Sequence, residues 1–193
     1  MASPRDRMVT SAALLMRERG AHSTAIADVL AHSGAPRGSA YHYFPGGRAQ
    51  LLCEAVDYAA DFVATALGGA ETGVAMLDTA VRFYRQGLLD SDFRAGCPVL
   101  AVAVEAGDPD HRTAAAVERA HAAFTRWQEL IADRLVSDGV TRSQAGDLAA
   151  LVVAGLEGAL VLARTARDVG PLDAVHRQLR QLLQTASEGK RPT

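Results

Sequence analysis

Between Thr24 and Leu52 the chain reads TAIADVLAHSGAPRGSAYHYFPGGRAQLL, and the breakers in this stretch divide it into a short helix, a glycine turn, a second short helix and the start of another. Ile26, Ala27, Val29 and Leu30 give the first piece an apolar face at helical spacing. Thr24 is placed to cap it, and Gly34 supplies the left-handed residue that stops it. Pro36 suits the first turn of the second helix, where a missing N–H costs nothing. Arg37, Gly38, Ser39, Tyr41 and His42 then fall on or beside a helix of about two turns, a length that fits end-on into a major groove. That order is a helix-turn-helix, and double-stranded DNA is the partner it implies. Tyr43 and Phe44 are expected to pack between the second helix and the next, with Phe44 buried.

The segment Tyr41-His42-Tyr43-Phe44-Pro45-Gly46-Gly47-Arg48 carries aromatics, a breaker cluster and a cation that a plain helical hairpin does not need. It resembles the DNA-binding domain of TetR-type transcriptional repressors, with a Thr before helix 2, a Gly in the turn, and Tyr-x-x-Phe before a cation-led helix 4. The wording GAPRGS and Tyr-His-Tyr-Phe-Pro-Gly-Gly, with Gly96-Cys97-Pro98-Val99 later, is similar to the LmrA-like branch. Two positions depart from the pattern. Arg48 stands where Lys is usual, exchanging a point charge for a planar fork, and Ala49 stands where Glu is common, removing a favourable anion from the start of helix 4. The resemblance is strong over about the first 55 residues.

The starts of helices 2 and 4 carry free N–H groups, and Thr24 and Arg48 sit there. The resemblance implies that Thr24, Tyr41 and Arg48 hold phosphates, leaving Arg37, Ser39 and His42 as candidates for base edges and Gly38 as the point of close backbone approach. The formal net charge of −2 looks wrong for this role until it is divided along the chain. Residues 1–50 carry six Arg against three acids, whereas residues 51–193 carry fourteen Lys and Arg against nineteen acids. The basic end is the reading end, and the acidic remainder is held away from phosphate. An overall negative charge also argues against a DNA-bending structural protein.

Beyond the reader, no stretch alternates with period two for long enough to make a strand, so the chain is expected to be all-α with about nine helices. Residues 1–50 form a three-helix DNA-binding domain and residues 51–193 a helical ligand-binding and dimerisation domain. Helix 1 runs from Ser3-Pro4 to Gly20 with Val9, Ala12, Ala13 and Met16 inward. Helix 4 runs from Gly47 to about Leu67, helix 5 follows Thr72, and a short helix spans about Pro98 to Ala106. A long helix starts near Asp110 with Val117, His121, Phe124, Gln128 and Ile131 on one face. Thr141 caps helix 8, which ends at Gly170, and Pro171 opens helix 9.

Reading a palindrome takes two heads, so a homodimer surface is expected. Leu148 to Ala163 is the most apolar run. At sixteen residues, with Glu157 and two glycines inside it, it falls short of a bilayer span and reads as a helix buried on every side. Leu151, Ala154, Gly155, Gly158 and Leu162 on helix 8, with Val175, Leu179 and Leu182 on helix 9, are the expected four-helix interface. Burying the Glu157 carboxylate requires a partner, either within the protein or on an effector. An apolar cavity walled by Phe83, Leu100, Val104, Phe124, Trp127 and Leu156, with Glu157 as its polar group, suits a small hydrophobic effector. Cys53 and Cys97 are too few for a disulfide framework, no secretory leader stands at the N-terminus, and His22, His32 and His42 have no metal-ligand spacing. No cofactor, metal or membrane is expected, and a reduced cytoplasm is the natural compartment. These readings converge on a dimeric repressor released from a palindromic operator by a hydrophobic small molecule. The alternative is a helical enzyme with Glu157 and His121 as an acid–base pair.

Overall fold

The computed structural model describes residues 2–105 and 113–188. Among these residues there are nine helices and no strand: α1 Pro4–Arg19, α2 Ile26–Ser33, α3 Ser39–Tyr43, α4 Gly47–Gly68, α5 Gly73–Asp90, α6 Pro98–Ala103, α7 Ala114–Ser137, α8 Arg142–Ala166 and α9 Gly170–Glu188. The chain forms two compact units, one of Met1–Asp61 with Cys97–Ala123 and one of Phe62–Gly96 with Phe124–Thr193.

In the first unit, α1 begins with a reciprocal cap. The Ser3 hydroxyl accepts from Asp6 N at 3.1 Å, and the Asp6 carboxylate accepts from Ser3 N at 3.2 Å. Val9, Ala12, Ala13 and Met16 are buried along its inward face, against which α2 and α6 pack. Gly34 stops α2 at φ 65°, where a side chain would strain the backbone. Phe44 is buried, with the Arg5 guanidinium 5.6 Å from its ring centroid and the same arginine bound to Glu54 at 2.7 Å.

The connection from α1 to α2 is held from two sides. Thr24 is not the cap of α2. That place belongs to Ala25, which makes no side-chain cap bond, while the buried Thr24 hydroxyl turns back to donate to Gly20 O at 2.9 Å. Arg48 donates from Nε to Thr24 O at 2.9 Å and from Nη2 to the carbonyls of His22, at 3.1 Å, and Ala21. Glu105, just past α6, accepts from His22 N at 2.6 Å. A loop carries backbone groups with no ladder to pair them, and here a cation takes the carbonyls and a carboxylate takes an N–H.

Three further expectations are corrected by packing. Helix α3 starts at Ser39, because Ser39 N and Oγ both close on Pro36 O, at 2.9 and 2.6 Å, and keep Pro36 and Arg37 in the turn. Of the expected face of α7, Ile131 is buried, Val117, Phe124 and Gln128 are half-buried and His121 is exposed, and the buried row is Ala116, Ala120, Ala123, Trp127, Ile131 and Leu135. Alanines fill half of this row, and a search for bulky side chains overlooks them. Helix α8 ends at Ala166 rather than Gly170, because Arg167 adopts the left-handed conformation at φ 52° and its guanidinium is bound to Asp92 at 2.6 Å. The expected ends of α6 at Ala106 and start of α7 at Asp110 lie outside the described residues.

The second unit is built on α5, α8 and α9, which pack on one another. Thr72 and Thr141 cap α5 and α8, accepting from Ala75 N at 3.1 Å and Gln144 N at 3.4 Å. Arg85 grips Asp173 through both carboxylate oxygens at 2.6 and 2.7 Å, and Asp78 meets His176 at 2.6 Å, tying α5 to α9. Helix α8 is 25 residues long with a stretch of mean hydropathy 1.8, so by length and composition it does reach the size of a bilayer span. It packs between α5 and α9, but it is not buried on every side: Leu151, Ala154, Gly158, Val161 and Leu162 are exposed.

Two substitutions test these supports. In Arg48→Ala the carbonyls of Ala21, His22 and Thr24 lose a charged donor, and DNA-free stability should fall by about 1–3 kcal/mol in denaturant unfolding. An arginine that served phosphate alone would leave it within about 0.5 kcal/mol. In Gly73→Ala the new methyl carbon would stand 2.5 Å from a methyl group and 3.2 Å from Cγ of the fully buried Leu135, whose side chain must shift. Overpacking should lower stability by about 1–3 kcal/mol, read from the midpoint of urea unfolding.

Candidate DNA-reading head and ligand cavity

The sequence of α2, turn and α3 presents the residues a reading head needs. Arg37, Gly38, Tyr41 and His42 are exposed, and Ser39 is half-buried with its hydroxyl on Pro36 O. Tyr41 is 76% exposed, which for an aromatic of its size marks a side chain with no place in the core. His42 stands edge-on to Tyr43 with ring centroids 5.0 Å apart, so its imidazole direction is set by a neighbour. The exposed set therefore spans the turn as well as the helix, since α3 alone has only five residues. Thr24 and Arg48 do not join it, because their polar groups face the α1–α2 loop.

The second unit holds a narrow cavity of about 30 Å³. Helix α4 contributes Val63 and Leu67, α5 Met76, Leu77 and Tyr84, α7 Trp127 and Ile131, and α8 Val152, Leu156 and Glu157. Glu157 is buried, and the Tyr84 hydroxyl donates to its Oε1 at 3.1 Å. Tyr84, which the sequence reading overlooked, is thus an internal partner of the kind a buried carboxylate requires. It lies on the inner face of α5, where helical spacing from Leu77 and Val81 marks it, but nothing in the sequence pairs it with Glu157.

Of the walls expected from sequence, Trp127, Leu156 and Glu157 line this cavity, and Phe83 lines an adjoining one. Phe124 lines neither and packs edge-on against Trp127 at 5.5 Å between centroids. Leu100 and Val104 are corrected: both belong to the first unit and line neither cavity, and Val104 is 74% exposed. Helix α6 is too short to bury both ends, and its apolar contacts go to α1.

The expected dimer residues separate into two groups. Leu151, Ala154, Gly158 and Leu162 are exposed along one face of α8, Leu182 of α9 is also exposed, and Val161 extends the set. Gly155, Val175 and Leu179 instead join α8 to α9 within the chain. A methyl group at Gly155 would meet Leu179 at 3.3 Å and Val175 at 3.4 Å, and Leu179 is buried. Bare glycine permits that approach.

His22 and His32 are exposed, and among the described residues no three His, Cys, Asp or Glu side chains gather as a metal site. Cys97 is buried at the start of α6, where its sulfur accepts from Leu100 N at 3.5 Å. Burial pushes the Cys53 thiol upward, against the smaller opposing pull of Arg119, so it is held as a thiol.

Residues 9–55 match the family described as bacterial regulatory proteins, tetR family, and residues 73–178 match the C-terminal domain of LmrA/YxaF-like transcriptional regulators. An uncharacterised HTH-type transcriptional regulator of Mycobacterium tuberculosis is 61% identical over 185 residues, 95% of each chain. The HTH-type transcriptional regulator LmrA of Bacillus subtilis is 27% identical over 87% of this chain and 90% of its own. A TetR transcriptional regulator from Chloroflexus aurantiacus superposes with a TM-score of 0.72 at 30% identity, covering 94% of each chain. One from Legionella pneumophila reaches 0.81 at 17% identity, over 94% of this chain and 98% of that one, which is a likeness of fold. These relatives are regulators, which sets aside an enzyme built on Glu157 and the exposed His121. The chain belongs to the TetR family of DNA-binding transcriptional regulators, with the C-terminal domain of its LmrA/YxaF-like members.

Proposed function

We propose that this protein is a dimeric, ligand-responsive repressor of the cytoplasm, with a reading head over residues 1–50 and a sensing and dimerising part after it. The observation that carries the reading is the coexistence of an outward reader and an apolar cavity containing one buried carboxylate. Arg37, Ser39 and His42 meet base edges, Gly38 lets the backbone approach, and Tyr41 holds phosphate. Thr24 and Arg48 serve the same contact indirectly, by fixing the loop that leads into α2.

Two heads are needed to read a palindrome, and the exposed apolar face of α8 from Leu151 to Leu162, with Leu182 of α9, is where a second copy would close. The cavity is narrow, so a small hydrophobic effector must part its walls to enter. A ligand that prefers the parted form draws the population toward it, and the spacing of the two heads changes with it.

Sequencing DNA fragments selected by the purified protein identifies the operator on which the reading is tested. Arg37→Ala should then cost about 1–3 kcal/mol on that operator and far less on random DNA, measured by fluorescence anisotropy. Equal losses on both would assign Arg37 to phosphate.

Gly158→Glu should separate the subunits, because a close helix contact accommodates neither the bulk nor an unpaired charge. Light scattering should report the monomer mass, and operator affinity should fall with it. A variant that stays dimeric would move the interface away from this face.

A further inference from the structure

A run of aromatic rings leads from the surface of the second unit to its buried carboxylate. Phe62 on α4 and Phe83 on α5 are 47% and 39% exposed, with centroids 5.1 Å apart. Phe83 stands 5.7 Å from Tyr84, which is buried and donates its hydroxyl to Glu157 at 3.1 Å. A second narrow hollow, of about 20 Å³, is lined by Phe62 and Phe83 and shares Val63, Leu67, Ala80 and Tyr84 with the cavity that holds Glu157. Tyr84 is therefore part of the wall common to both.

The chemistry of the two linings is one-sided. Glu157 is the single acidic or basic side chain among their described residues, and the remainder is aliphatic or aromatic apart from Thr79. A carboxylate or phosphate entering here would meet no cationic side chain in either lining, at the full cost of its desolvation. An ammonium would meet a carboxyl group among aromatic side chains, a combination that attracts cations where water is excluded. We infer that the two hollows form one site for a lipophilic organic cation, whose nitrogen is taken by Glu157 beside Tyr84 and whose apolar body extends toward Phe83 and Phe62.

This inference rests on the ligand-sensing reading and names the chemical class of that ligand. The sole tryptophan, Trp127, lines the Glu157 cavity and reports occupancy without DNA. The full chain is titrated with phenylbutylamine, phenylbutanol and phenylbutanoate, which share one apolar body and differ in charge, and binding is read from Trp127 emission and by calorimetry. The amine should bind about tenfold or more tightly than either of the others. Glu157→Gln, in which Tyr84 can still donate to the amide oxygen, should bring the amine to the level of the alcohol. Phe83→Ala, a change at a partly exposed position, should weaken the amine and the alcohol alike. Should Glu157→Gln fail to fold, the ranking of the three compounds on the unaltered protein decides. Phenylbutanoate or phenylbutanol binding as tightly as the amine overturns the inference, and so does the absence of binding by all three at millimolar concentration. Operator release separates the two readings. An amine that binds in this pattern without releasing operator leaves the site standing and removes its sensing role. Release by hydrophobic compounds indifferent to Glu157→Gln keeps the sensor and removes the cation site.

Discussion

The reading head depends on how the six residues between α1 and α2 satisfy their backbone. Within the loop Thr24 bonds Gly20 O and Ala21 O, at 2.9 and 3.0 Å, and the other backbone groups need partners from elsewhere, since a loop has no ladder and each buried unpaired carbonyl or N–H costs about 1–3 kcal/mol. Arg48 resolves the carbonyl side by spreading one guanidinium over Ala21, His22 and Thr24, and Glu105 takes the N–H of His22. An ammonium in place of the guanidinium would have no planar fork to span three carbonyls, which gives the exchange of the usual lysine for Arg48 a structural meaning. With the loop set, α2 starts where it does, Gly34 turns the chain, and Arg37, Tyr41 and His42 point outward.

The same economy of roles governs α8. One side of this helix buries Leu148, Val152, Leu156 and Leu160, and the other exposes Leu151, Ala154, Gly158 and Leu162. Glu157 lies on the buried side, where only a hydrogen-bonded carboxyl is tolerable, and Tyr84 of α5 supplies that bond. A helix that is apolar all round commonly indicates complete burial. In this unit it means a core on one side and an uncovered surface on the other, and composition alone does not distinguish the two cases.

The order of helices, the position of the turn and most helix starts were legible because each depends on residues near in sequence. Ser3, Thr72 and Thr141 cap helices through hydroxyls that reach an N–H three residues on, and Gly34 ends α2 through its own φ. The inward row of α1 came from periodicity, and burial of Phe44 from its place between two helices. What was not legible depends on partners far along the chain. The inward turn of Arg48 needs carbonyls 24 to 27 residues away, the Tyr84–Glu157 bond joins residues 73 apart, and α6 serves α1 rather than the cavity.

By itself, then, the sequence determined an all-helical chain with a helix-turn-helix near its start and an apolar, acid-bearing C-terminal region, because helix propensity, capping and apolar period act over a few residues. Only the tertiary structure decided which polar groups face outward and which hold the fold, and which side of α7 and α8 is buried. Those outcomes depend on which distant helices meet, as α8 meets α9 at Gly155, and on which distant donor reaches a buried acceptor, and neither is encoded within a single turn of helix.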